Sequence, residues 1–168
     1  MSTAILTPVG DLPAWVVIVA NVGGWMAWML AVGWWANRVP LGRLERDTWV
    51  TRPRRFEQDG RWYERTLRIR RWKDRLPEGG AFYAGGFAKR SIRAGDPDVM
   101  QRFVAETRRA EYAHWVMFAG FPVFFLWNAW WGDLLILGFA VVVNLPCLLV
   151  QRYNRARLSR VIRARGQR

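Results

Sequence analysis

Cysteine and histidine are almost missing: Cys147 and His114 are the only ones in 168 residues. A lone cysteine excludes an intrachain disulfide and a thiolate metal cluster. A lone histidine excludes the usual multi-histidine metal sites, so neither a metal nor a bound cofactor is expected. Lysine is scarce too, with only Lys73 and Lys89 among many arginines. The most informative absence is local. Residues 1–37 and 110–151 contain no Lys or Arg, and only Asp11, Glu111 and Asp133 carry formal charge there. A soluble fold would mix its charges among its apolar residues, whereas this chain segregates them.

What fills those stretches is apolar and rich in tryptophan. Residues 12–36 carry no charge over 25 positions, and about 20 such residues cross a hydrocarbon core. The stretch lacks the basic n-region and the shorter core of a signal peptide, so an uncleaved anchor is expected. Residues 112–131 and 134–150 form a second and a third apolar stretch around Trp130-Trp131-Gly132-Asp133. They predict a tight helical hairpin, kinked by Pro122 and Pro146, that either spans or re-enters the bilayer. A mid-helix proline frees a carbonyl, which a membrane tolerates where protein or water satisfies it.

All 26 basic residues lie elsewhere, 19 in residues 38–109 and 7 in residues 152–168. The positive-inside rule makes both segments cytoplasmic. Three crossings then put the N-terminus outside and the C-terminus inside a bacterial cell membrane. The expected fold is an all-α, multi-pass membrane protein with about three transmembrane helices and a basic interfacial segment. Its parts are an anchor at 1–37, a basic segment at 38–110, a hairpin at 111–151 and a basic tail at 152–168. The pI of 11.4 invites a nucleic-acid reading, but membrane topology accounts for that charge and no nucleic-acid module is seen.

Within the basic segment, Trp62, Ile69 and Leu76 recur every seven residues. No Gly or Pro interrupts residues 61–76, which predicts a helix lying on anionic headgroups. Residues 77–88 form a glycine-rich turn, either a simple loop or a weak candidate for diphosphate contact. Asp96-Pro97 opens a helix that runs through 99–113 into the second apolar stretch. On it Glu111 and His114 share a face three residues apart. The carboxylate would then orient the imidazole as a base towards a substrate hydroxyl. The same spacing also suits a plain interfacial anchor. On the third stretch Asn144, Gln151 and Arg155 fall within about 40° of one another. That polar stripe descends into a basic exit where guanidinium groups could hold phosphate. Cys147, in apolar surroundings, is expected to pack rather than react.

Three motifs taken together resemble a known family. They are Arg71-Trp72-Lys73-Asp74-Arg75-Leu76, then Glu106-Thr-Arg-Arg-Ala-Glu111-x-x-His114-Trp115, then Asn144-x-Pro146 followed by Gln151-Arg152-Tyr153-Asn154-Arg155-x-Arg157. In this order the chain, from about residue 38, resembles the glycosyl-4,4'-diaponeurosporenoate acyltransferase family, associated with the last step of staphyloxanthin-type carotenoid synthesis. The resemblance implies transfer of a fatty acyl group from acyl-CoA or another acyl thioester to a sugar hydroxyl of a glycosylated carotenoid or related glycolipid. The His-x4-Asp motif of glycerolipid acyltransferases is absent, because position 119 is Ala.

His114 and Glu111 are therefore the expected catalytic pair. Trp72, Lys73, Glu106, Arg109, Asn144, Gln151, Arg152, Asn154 and Arg155 are expected to bind substrate or donor. Of these, Arg109, Arg152 and Arg155 would hold donor phosphates or the oxyanion. Membrane lipids and a lipid-linked glycoside are the expected partners, with a homo-oligomer or a complex of pathway enzymes possible. The rival reading is a non-catalytic membrane subunit or lipid-binding scaffold.

Overall fold

The computed structural model describes residues 4–7, 10–76 and 97–166; the glycine-rich stretch at 77–88 lies outside them. The chain opens on an antiparallel hairpin of β1 (Ala4–Thr7) and β2 (Gly10–Pro13), with Ile5 opposite Leu12. An all-α reading misses this hairpin. Among the described residues four α-helices follow: α1 (Ala14–Arg38), α2 (Arg61–Arg65), α3 (Pro97–Ala119) and α4 (Trp130–Gly166).

α1 is the expected anchor, and its end is set locally. Val39 is extended (φ −65°, ψ 120°) ahead of Pro40, as the steric clash with a following proline demands. Arg38 lies 3.6 Å from the ring centroid of Trp34, a cation–π contact that holds the charge at the boundary.

The expected hairpin is built differently. α3 ends at Ala119, and a 3-10 segment (Phe121–Leu126) carries Pro122 in its first turn rather than at a kink. There the missing N–H costs no intrahelical bond. The turn therefore lies at 120–129, and Trp130-Trp131-Gly132-Asp133 opens α4 instead of closing the hairpin. α4 then runs 37 residues with Pro146 inside it, about 55 Å at 1.5 Å per residue. The basic tail is thus no separate element; it continues the apolar helix.

Two helices, α1 and α4, are long and apolar enough to cross a membrane; α3, polar through its first half, does not meet that test. Both carry large apolar side chains on their outer faces, among them Trp15, Ile18, Leu135 and Val142. Burying such surface requires an apolar surrounding.

α1 and α3 run antiparallel in matched steps. Arg109 Nη2 donates to Val39 O at 2.9 Å, and Trp28 Nε1 donates to Met117 O at 3.3 Å. Trp28 can approach because position 120 is Gly: a Cβ there would sit 2.2 Å from Trp28 Nε1. From Arg109 to Gly120, and from Trp28 to Val39, is eleven residues each, about 16 Å of helix. Further along, Trp25, Phe124 and Ala140 form an aromatic core with Phe118, Phe121, Trp127 and Ile136 around it.

Residues 61–76 are not one helix. After the short α2 come turns at Ile69–Arg71 and Lys73–Arg75, and Arg68 adopts a left-handed backbone (φ 47°). The apolar residues converge nonetheless. Tyr63 and Ile69 pack with Val150 and Tyr153 of α4, and Trp62, Leu67, Trp72 and Leu76 cover them. The seven-residue spacing records a wrapped segment that buries its apolar residues on α4.

Candidate functional site

α3 and α4 pack antiparallel, and the buried polar residues of the sequence reading gather along their seam in two layers. Towards the apolar end lies His114. Its Nδ1 is 3.0 Å from Asn144 Oδ1, while Asn144 Nδ2 donates to Ala140 O at 2.9 Å. The second bond fixes the amide: with the NH2 group spent on the α4 backbone, the oxygen must face the imidazole. An amide oxygen only accepts, so Nδ1 carries the proton and Nε2 of the neutral ring is left as a base. Asn144 is completely buried, which locks this orientation.

The second layer is ionic. Glu111 is fully buried; its Oε1 lies 2.5 Å from Arg152 Nη1 and its Oε2 2.6 Å from Arg155 Nη2. Arg152 also binds Glu57, through Nε at 2.9 Å and through Nη2, and donates to Val50 O and Arg52 O at 3.0 Å each. Five N–H donors thus find five bonds, the full capacity of a guanidinium. Arg155 Nη2 donates to Thr51 O at 2.6 Å, and Nη1 has no hydrogen-bond partner among the described residues.

The expected Glu111–His114 pair is therefore corrected. Side chains tilt towards the N-terminus of their own helix. Glu111 consequently leans down α3, away from His114, while Arg152 and Arg155 lean up the antiparallel α4 to meet it. Asn144, expected to bind substrate, takes the orienting place instead. Arg152 and Arg155 likewise spend their charge on Glu57 and Glu111 rather than standing open to phosphate.

The remaining candidates lie around this seam. Arg109 pairs with Glu106 at 3.0 Å and is bonded to Val39 O. Burial pushes the Glu106 carboxyl above its ordinary range, with Arg109 and then Arg102 opposing that shift. Trp72 Nε1 donates to Leu67 O at 3.0 Å, and Lys73 pairs with Asp74; both belong to the segment wrapped on α4. Gln151, Asn154 and Cys147 are half-buried on α4.

Sequence reasoning missed Glu57, because its partner is 95 positions away. Beside it, burial and then the Glu57 charge push the Tyr63 hydroxyl up to about 12. Also missed was an amide lock at the apolar end. Asn21 and Asn128 exchange bonds at 2.9 and 2.8 Å, and Trp127 Nε1 donates to Asn21 Oδ1 at 2.8 Å. An amide within an uncharged apolar run was the available signal.

His114 is thus held through Nδ1 by a buried amide, with buried, compensated charge in the layer beside it. The sequence model of the glycosyl-4,4'-diaponeurosporenoate acyltransferase family matches residues 46–164. Curated proteins of that name from Staphylococcus aureus strains N315 and USA300 are each 26% identical over 151 residues, 86% of this chain and 88% of theirs. No solved structure matches. The chain belongs to the glycosyl-4,4'-diaponeurosporenoate acyltransferase family and is an acyltransferase.

Proposed function

We propose that the protein transfers a fatty acyl group from an acyl thioester to a sugar hydroxyl of a membrane-held glycoside, with His114 as general base. The observation that carries this reading is the His114–Asn144–Ala140 relay. His114 Nε2 takes the hydroxyl proton as the sugar oxygen attacks the thioester carbonyl. The carbon–sulfur bond then breaks, and the leaving thiolate recovers the proton from the imidazolium. The products are an ester and a thiol. Arg155 Nη1, the unspent donor of the ionic layer, is the candidate to meet the developing oxyanion. Glu111 and Arg152 act as rigid support that fixes α4 against α3.

The relatives are named for a glycosyl-4,4'-diaponeurosporenoate acceptor, and the acceptor proposed for this protein is of that class or a related glycolipid. Such an acceptor is delivered by the bilayer, which suits a seam flanked by the outward apolar faces of α1 and α4. The arginine-bearing ends then lie in the cytoplasm and the N-terminus outside.

The test is to incubate purified protein with acyl thioester and bacterial lipid extract and to score acylated glycolipid by mass spectrometry. His114→Ala lowers transfer by about 10²- to 10⁴-fold at unchanged thermal stability. Asn144→Leu lowers it less and displaces the pH–rate profile, because the ring loses its fixed tautomer. Full transfer by well-folded His114→Ala would sink the assignment.

A further inference from the structure

Beyond the ionic layer the same helix seam opens into a cavity of about 700 Å3. Its walls are Val104, Ala105 and Arg108 of α3, Ser159 and Ile162 of α4, and Leu41 of the turn after α1; Arg46, Arg102 and Arg163 stand at its margin. The cavity is thus apolar at its back and cationic at its rim, with Glu45 the one acidic residue among the described residues that line it. Its volume is that of a small-molecule site. The ion pairs around it hold the rim in place. Arg108 Nε bonds Asp47 at 2.8 Å and Arg108 Nη1 bonds Leu44 O at 2.9 Å, while Arg163 bonds Asp59 at 2.7 Å.

We infer that this cavity binds the phosphorylated nucleotide of a coenzyme A thioester, the donor side of the reaction proposed above, on which the inference rests. Three features select that chemistry. A purine needs an apolar wall, which Leu41, Val104 and Ile162 provide. Its phosphate groups need cations, and with Arg108 held by Asp47 and Arg163 by Asp59 the charge facing them comes from Arg46 and Arg102; guanidinium groups are the side chains best matched to phosphate. The third feature is position. Arg108 lies six residues from His114 along α3, about 9 Å of helix, so the base stands apart from the nucleotide. An extended pantetheine arm bridges such a gap and delivers its terminal thioester near the base. A lipid headgroup shares the phosphate but brings its acyl chains directly beside it, which would set them against the charged rim.

The experiment is calorimetric titration of the purified full-length protein, in a zwitterionic detergent, with coenzyme A, pantetheine and glycerol 3-phosphate as separate probes. The inference expects coenzyme A to bind and the other two to bind at least about 10-fold more weakly. Arg46→Gln combined with Arg102→Gln, and separately Ile162→Trp, which fills the cavity, should each weaken coenzyme A about 10- to 100-fold. Arg61→Gln, an exposed arginine outside the cavity, serves as the charge control and binds as wild type. Equal binding of coenzyme A by wild type and both cavity variants overturns the inference. So does glycerol 3-phosphate binding as tightly as coenzyme A, which would make this a headgroup site. His114→Ala separates the two readings. It should bind coenzyme A normally, so an acyltransfer mechanism disproved at His114 leaves the cavity measurement standing, and a cavity disproved leaves the base untouched.

Discussion

Two buried polar networks hold the helices together, and they use opposite chemistry. At the apolar end, Asn21, Asn128 and Trp127 join α1 to the hairpin tip with neutral bonds of 2.8–2.9 Å. At the polar end, Glu57, Glu111, Arg152 and Arg155 join the segment after α1 to α3 and α4 with full charges. Neutral amides suit the first position, because a charge deep in an apolar setting is costly while a reciprocal amide pair satisfies both partners. Charge suits the second, where two carboxylates, Glu57 and Glu111, compensate two guanidinium groups that must leave water. The lesson concerns failure. A neutral lock loses a bond when one partner goes; an ionic lock leaves an unpaired buried charge.

Removing Glu111 should therefore have the largest effect. Glu111→Ala leaves Arg155, 1% exposed, without its carboxylate and should cost about 3–5 kcal/mol, read as lost expression or a collapsed melting temperature. Survival of Glu111→Ala at wild-type stability would mean that the ionic layer is dispensable.

Gly120→Ala comes next. Its Cβ would meet the Trp28 ring at 2.2–2.9 Å, and the rigid indole has little room to yield. About 1–3 kcal/mol of overpacking is expected, and Trp28→Leu in the same chain should relieve it. Failure of that rescue would remove the matched α1–α3 register.

The neutral lock should be weaker. Asn128→Leu is expected to cost about 0.6–2 kcal/mol, and the Asn21→Leu, Asn128→Leu double variant little more than either single. A double-mutant cycle showing additivity would mean that the two amides do not act as a unit.

The smallest effect at neutral pH, and the clearest in alkali, belongs to Tyr63. An ordinary tyrosine ionises near 10, whereas Tyr63 is held up to about 12. The unfolded chain then loses a proton that the fold retains, so stability is intact below about pH 10 and falls as pH rises towards 12. Tyr63→Phe should flatten that slope and shrink the late component of the tyrosinate absorbance at 295 nm, the remainder belonging to Tyr153, which burial and then Glu64 also push up. A titration in which all tyrosines ionise together would contradict the burial argument.

How much of this was legible beforehand depends on the reach of each interaction. α1, the start of α3 at Pro97 and the apolar run of α4 follow from hydropathy and proline chemistry, which act within a few residues. The hairpin turn was misplaced by about ten residues. Trp130-Trp131-Gly132-Asp133 has turn composition, but Gly120 and Pro122 carried the actual break. Residues 61–76 have a helical period, yet packing on Val150 and Tyr153 outweighed local propensity. Among the site residues, the types were right and the pairings were not. Glu111 and His114 do share a face, but helix geometry leans Glu111 towards the arginines of the other helix.

By itself the sequence determined the segregation of charge from apolar surface, three apolar stretches of which two are long apolar helices, the single histidine with its candidate partners, and the family motifs. These are properties of composition and short spacing, fixed before the chain folds. The tertiary structure alone decided that Asn144 rather than Glu111 orients His114, that Glu57 closes the ionic layer and that a cationic cavity opens beside it. Each needs residues at least 30 positions apart to be brought together, which the antiparallel packing of α3 on α4 and the folding of the segment after α1 against them accomplish.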